Sequence, residues 1–210
     1  MRSLFVLGFV LGMACGCGHK ADTDPPQPGS GSGSGSAPDD DQREQQRFDS
    51  ERRPDKIVEA LAIGPGSRVA DIGAGSGLLT VHLARAVAPN GRVIATDIDG
   101  TVLDLLAARL KKAGLSQVVE RRVVGADHPE LEEGAYDAIL LAEVDHFFPD
   151  PAAWLREAAK ALKPEGRIVI SNRVYHRAQA IAAAKKAGLV LKSESNPVAT
   201  HYIAVFVVGK

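Results

Sequence analysis

Beyond its first twenty residues the 210-residue chain has no cysteine, since Cys15 and Cys17 are the only two. The remainder can therefore hold no disulfide, thiolate nucleophile or cysteine-ligated zinc. Aromatic residues make up 5%, with one tryptophan, three tyrosines and six phenylalanines, a thin supply for the stacking platforms of a nucleic-acid groove. An excess of one charge is also missing, with Lys+Arg 25 against Asp+Glu 26. Without a basic surplus there is little counterion-release drive toward DNA or RNA, so no nucleic-acid partner is expected. The apolar run Leu4 to Met13 is too short to cross a bilayer, which takes about 20 residues. What is present, 45% hydrophobic residues over this length, suffices for one domain with a core and hardly for two.

The N-terminus has a short positive start, Met1-Arg2, then the apolar run, then the small residues Ala14-Cys15-Gly16-Cys17. This is the pattern of a secretory signal. A small residue directly before a cysteine resembles a bacterial lipobox, and Cys15 and Cys17 both fit it loosely. The expectation is an exported lipoprotein of a bacterial cell envelope, held at the membrane by a lipid on one of these cysteines, with a soluble exported protein as the plainer alternative. From residue 18 to about 41 the chain is rich in Asp, Pro, Gly and Ser, including an alternating Gly-Ser run from Gly29 to Ser36. Such composition cannot bury enough apolar surface to order itself, so a flexible linker is expected. The folded domain is expected over residues 42–210.

The centre of that domain is Val69-Ala70-Asp71-Ile72-Gly73-Ala74-Gly75-Ser76-Gly77-Leu78-Leu79-Thr80. Arg68 to Ile72 reads as a buried strand, Gly73 to Gly77 as a tight turn, and Leu78 to Val87 as a helix with apolar residues at helical spacing. Three alternating glycines allow positive φ and let a ligand lie against bare backbone, with a helix N-terminus aimed at it. A P-loop would need Gly-Lys-Ser/Thr at the end of the turn, where this chain has Gly77-Leu78-Leu79. A dinucleotide fingerprint would need glycine at position 78. With both phosphate readings weakened, Asp-x-Gly-x-Gly-x-Gly remains, and in it the sequence resembles the class I S-adenosylmethionine-dependent methyltransferases.

That resemblance implies a single Rossmann-like, doubly wound α/β sheet, mostly parallel with an antiparallel C-terminal strand, in the order 3-2-1-4-5-7-6. It implies S-adenosylmethionine as cofactor, with Asp71, Gly73, Ala74, Gly75 and Gly77 around it. Asp97 closes the second strand, Arg92 to Thr96, and stands 20 residues after Gly77. An acid there can accept both ribose hydroxyls of a nucleoside; the neighbouring Ile98 is included in the site, and Asp99 is read as the cap of the helix Thr101 to Ala113. After a third strand, Val118 to Val124, Asp127 matches the family's acid that meets the adenine amino group. Phe48 and Arg52 lie in a lead-in helix of the kind that covers the cofactor in relatives, or else in a plain amphipathic helix.

The fourth strand, Ala138 to Ala142, is apolar throughout, as a strand buried on both faces should be. The crevice of an open α/β sheet lies at such carboxyl ends, where Glu143, Asp145 and His146 follow. Glu143 is assigned to the cofactor site, and His146 is the candidate general base because its ordinary pKa is near 6.5. A helix from Pro151 through Leu162, a turn Lys163 to Arg167, a fifth strand Ile168 to Ser171, a helix Ala178 to Ala187 and two last strands, Leu189 to Ser193 and Tyr202 to Val208, complete the pattern. His82, His176 and His201 read as surface or core residues. No spaced ligand motif suggests a metal. Methyl transfer to a small-molecule acceptor is the leading expectation, since Asn172 to Tyr175 leaves little chain to grip a polymer. A methyltransferase-like binding or scaffold module is the alternative, because the signal exports the domain away from the cytosol where the cofactor is made. An NAD-dependent enzyme ranks last.

Overall fold

The structure, a computed structural model, describes residues 39–209. The signal segment with Cys15 and Cys17, and most of the expected linker, lie outside the described residues. The first helix, α1 (Asp40–Arg52), starts two residues before the expected domain boundary because Asp39 caps it, accepting the Gln42 N–H at 2.8 Å. Then follow α2 (Pro54–Leu61), β1 (Arg68–Ile72), α3 (Thr80–Val87), β2 (Arg92–Asp97), α4 (Gly100–Ala113), β3 (Val119–Val123) and β4 (Tyr136–Ala142). The chain ends in α5 (Pro151–Lys160), β5 (Leu162–Arg173), α6 (Arg177–Lys186), β6 (Leu189–Val198) and β7 (His201–Val208).

The seven strands form one sheet in the order β3-β2-β1-β4-β5-β7-β6. Neighbours from β3 to β5 pair in parallel, while β7 runs antiparallel to both β5 and β6. Alternation along each strand sends side chains to two apolar layers. On one face Val69, Val93, Leu140 and Val205 pack with Ile57 and Leu61 of α2, Leu83 and Val87 of α3, and Leu103 and Leu106 of α4. On the other, Ala70, Ile94, Ile139, Leu141 and Phe206 pack with Trp154 and Leu155 of α5 and Ala180 and Ala184 of α6. The order of strands reverses between β1 and β4, and that switch point fixes where a crevice opens.

The expected bounds of α3, α5 and β6 need correction: α3 starts at Thr80, not Leu78, and β6 runs to Val198, not Ser193. The α5 helix stops at Lys160, not Leu162, because the amides of Gly134, Ala135 and Tyr136 bind the carbonyls of Lys160 and Ala161 at 2.9–3.0 Å. Leu162 already pairs with Tyr136, so the turn expected at Lys163 to Arg167 is an irregularity within a twelve-residue β5. No described helix is long and apolar enough to cross a membrane.

Candidate active site

The glycine turn leaves β1 with Gly73, Gly75 and Gly77 all at positive φ, between 54° and 84°. Two of them are required by close neighbours. A Cβ on Gly73 would stand 2.8 Å from Val144 Cγ2, and one on Gly77 2.7 Å from Leu106 Cγ. Gly77 thus serves packing of the turn onto α4, while Gly75 faces open space. The turn is tied to β2: Ala74 N–H donates to the Thr96 carbonyl at 2.9 Å, and Gly75 N–H donates to Asp97 Oδ2 at the same distance. Asp97 Oδ1 accepts the Asp99 N–H at 3.1 Å, and Asp99 caps α4 through the Thr101 N–H at 2.8 Å.

A cavity of about 430 Å³ opens at the carboxyl ends of β1, β2, β3 and β4. Gly73, Asp97, Ile98 and Glu143 line it, as the sequence suggests, together with Val124, Phe147, Phe148 and Trp154. Phe148 and Trp154 stack at 4.4 Å between centroids. Thr96 contributes a fully buried hydroxyl with no hydrogen-bond partner among the described residues. A buried hydroxyl left unpaired is costly unless a ligand satisfies it.

Five expected cofactor residues do not line this wall: Ala74, Gly75 and Gly77, which belong to the turn itself, and Asp71 and Asp127. Asp127 is exposed, and it is its neighbours Ala126 and His128 that face the cavity. Asp71 is buried under the turn, accepting the Thr80 hydroxyl at 2.7 Å. Burial raises the Asp71 carboxyl to about 6, against the pull of Thr80, with the nearby Asp97 charge adding to the rise. Asp71 acts on the site from below, through the turn it supports.

Glu143 adopts φ 55°, a left-handed conformation uncommon for a non-glycine residue, and it gathers four elements. Its carboxylate takes hydrogen bonds from the buried Arg52 of α1, from Arg173 Nε at 3.1 Å at the end of β5, and from His201 Nε2 at 3.1 Å at the start of β7. Burial pushes the Glu143 carboxyl up, but the Arg52 charge and the His201 hydrogen bond outweigh it and hold it below its ordinary value. Arg52 is 8% exposed, and its Nε and Nη2 have no partner among the described residues. The lead-in helix thus reaches the site through Glu143, behind the cavity wall: Arg52 pairs with that carboxylate, and its guanidinium lies 5.8 Å from the Phe48 ring.

Next to this group Asp145 is buried and accepts Asn172 Nδ2 at 2.7 Å, while the same nitrogen lies 3.0 Å from His146 Nδ1. His146 stacks on His176 at 4.1 Å and 15°. Burial, reinforced by His176, lowers the His146 pKa below its ordinary value against the pull of Asp145 and Glu143, which favours the neutral ring. A general base would need a free ring-nitrogen lone pair, and the Nδ1 lone pair is already engaged by Asn172.

Sequence reasoning set His176 and His201 aside and did not single out Asn172, yet all three stand at this end of the sheet. The usable signal was positional: Asn172 closes the C-terminal half of β5, and an antiparallel last strand must begin at the same edge. Among the described residues no three His, Cys, Asp or Glu side chains cluster to hold a metal.

Comparison with known proteins matches these features. Residues 70–168 fit the family described as "Methyltransferase domain". The ubiquinone biosynthesis O-methyltransferase of Xanthomonas campestris pv. campestris is 32% identical over 156 residues, 74% of this chain. The chain spans 62% of that relative's length. Among solved structures, a SAM-dependent methyltransferase from Aquifex aeolicus superposes with TM-score 0.70 at 19% identity, covering 80% of this chain and 98% of the other. The geranyl diphosphate C-methyltransferase of Streptomyces coelicolor A3(2), solved with S-adenosyl-L-homocysteine, gives 0.65 at 16%, covering 78% and 80%. What the solved structures share with the described residues is the fold, the Rossmann-like methyltransferase fold.

Proposed function

We propose that the domain is an S-adenosylmethionine-dependent methyltransferase acting on an oxygen of a small-molecule acceptor. The observation that carries this reading is the cavity at the switch point, where two carboxylates, Asp97 and Glu143, stand on an otherwise mainly apolar wall. That pairing suits a nucleoside: Asp97 retains lone pairs for a ribose diol, Thr96 offers an unsatisfied hydroxyl, and Ile98, Val124, Phe148 and Trp154 make a slot for a flat base. Nothing in the turn supplies the lysine a nucleotide phosphate would call for. Arg52, with two idle nitrogens beside Glu143, is the residue suited to the cofactor's α-carboxylate, and Asp71 and Glu143 place negative charge near its ammonium. When bound, the cofactor supplies an electrophilic methyl on a sulfonium; the chain's part is to hold and align the two reactants. Curated relatives named as O-methyltransferases support oxygen as the accepting atom.

Trp154 is the only tryptophan and lines the cavity, so its fluorescence reports occupancy directly. Titration with S-adenosylmethionine, S-adenosylhomocysteine and NAD in parallel is expected to change the signal with the first two alone. Silence toward all three would favour a scaffold that has lost its ligand.

The same proposal extends to location. The positive start, apolar run and small residues before Cys15 and Cys17 support export and lipid attachment. Intact mass of the membrane fraction is expected to carry a diacylglyceryl adduct on one of these cysteines. A cytosolic chain still bearing Met1 would overturn it.

A further inference from the structure

A second cavity, of about 260 Å³, adjoins the first and shares Glu143 and Phe147 with it. The rest of its lining is His146, Asn172, Arg173, Tyr175 and His176. Four rings form a continuous row along it: Phe147 against His146 at 4.0 Å, His146 on His176 at 4.1 Å, and His176 against Tyr175 at 4.3 Å. Its size is below that of a drug-sized pocket, which suits a single-ring compound.

Hydrogen bonding assigns the proton on His146. Asn172 Oδ1 accepts the Arg173 N–H at 2.7 Å, so its NH2 must face Asp145 Oδ1 at 2.7 Å and His146 Nδ1 at 3.0 Å. The reverse amide orientation would set NH2 against N–H and carbonyl against carboxylate. Nδ1 is therefore the acceptor, and the neutral ring bears its proton on Nε2. Nε2 has no partner among the described residues, and Arg173 uses only Nε, toward Glu143. Glu143 already accepts from Arg52, Arg173 and His201, and Asp145 Oδ1 from Asn172. The side-chain nitrogens at this wall without a partner among the described residues, His146 Nε2 and the terminal nitrogens of Arg173, are donors, while His176 and Tyr175 can turn either way.

We infer that this second cavity is the acceptor site, that it selects a planar conjugated oxyanion, and that His146 acts there as a hydrogen-bond donor through Nε2–H, with Arg173 as its cationic partner. The inference rests on the methyl-transfer reading above. The acceptor enters already ionised; its oxygen lone pair forms the carbon–oxygen bond as the donor's carbon–sulfur bond breaks. The oxyanion and sulfonium charges cancel, and no proton moves. His146 keeps its proton throughout, which replaces the general-base role read from the sequence.

The test compares two phenols of similar shape at one mildly alkaline pH, where 4-nitrophenol is ionised and 4-methylphenol is not. Each is titrated calorimetrically into the full chain, with and without S-adenosylhomocysteine. 4-Nitrophenolate is expected to bind at least about tenfold more tightly, a difference of about 1.4 kcal/mol. His146→Gln, whose amide retains a donor, is expected to keep that preference, and His146→Ala to lose it. Trp154 fluorescence with the coproduct reports that each variant is folded. Equal binding of the two phenols, or a preference untouched by His146→Ala, overturns the inference. If the coproduct binds and nitrophenolate does not, the inference alone fails; if nitrophenolate binds and the coproduct does not, the methyl-transfer reading fails and the anion site stands.

Discussion

Asp97 Oδ2 accepts the backbone N–H of Gly75 at 2.9 Å, so the acid that ends β2 also holds the middle of the glycine turn. Binding and shaping are thus joined in one carboxylate. Asp97→Ala is expected to weaken S-adenosylhomocysteine binding by at least about tenfold, since charge-assisted hydrogen bonds are worth roughly 1.5–3 kcal/mol. Asp99→Ala, which removes only the cap of α4, is expected to cost about 1 kcal/mol of stability and little affinity. Calorimetry and denaturant melts on both variants compare them directly.

Asp71 links stability to pH in the direction opposite to an ion-paired carboxylate. Its folded pKa, about 6, exceeds its ordinary value of 3.8, so between these pH values the folded state holds a proton that the unfolded state has released. Stability from this group is therefore full below about pH 4 and falls as pH rises toward 6, by about 3 kcal/mol at roughly 1.4 kcal/mol per unit. Asp71→Asn, which can still accept from Thr80, is expected to match the parent near pH 4 and exceed it at pH 7.5. It should also bind the cofactor product more weakly. Denaturation at the two pH values is the measurement.

Gly77→Ala combines a left-handed φ of 84° with a Cβ 2.7 Å from Leu106 Cγ. The expected loss is about 1–3 kcal/mol. Introduced into a Leu106→Ala background, the same change should cost less, because only the backbone term remains. A double-mutant cycle reads the difference.

Arg52→Met separates fold from ligand. Methionine fills the buried stem, and Glu143 keeps Arg173 and His201, so the melting temperature should move by only a few degrees. The two nitrogens without a partner are lost with the guanidinium. Binding of S-adenosylhomocysteine is expected to fall at least about tenfold.

Much of this arrangement is legible in the chain because its signals are local. The glycine turn, the acid 20 residues after Gly77 and the apolar β4 each express short-range geometry, and the strand order agrees with the family pattern they imply. The placement of Asp71 and Asp127 was less accessible. Which way a strand-end carboxylate turns depends on partners such as Thr80, nine residues on, and on loop conformation that no spacing encodes. The Arg52, Glu143 and His201 group joins residues 91 and 58 positions apart, and the orientation of Asn172 is visible only once Arg173 N–H and Asp145 are both in place.

The antiparallel course of β7 has a consequence in time as well as in space. Its first residue, His201, completes the ring of donors around Glu143, which lies 58 positions earlier in the chain. A ribosome that has delivered everything through α6 has made the glycine turn, Asp97 and the whole parallel half of the sheet, with Glu143 still short of its third donor. The Glu143 corner of the crevice therefore takes its final form only when the last strand has docked, and a chain cut before His201 would leave Glu143 with two donors in place of three.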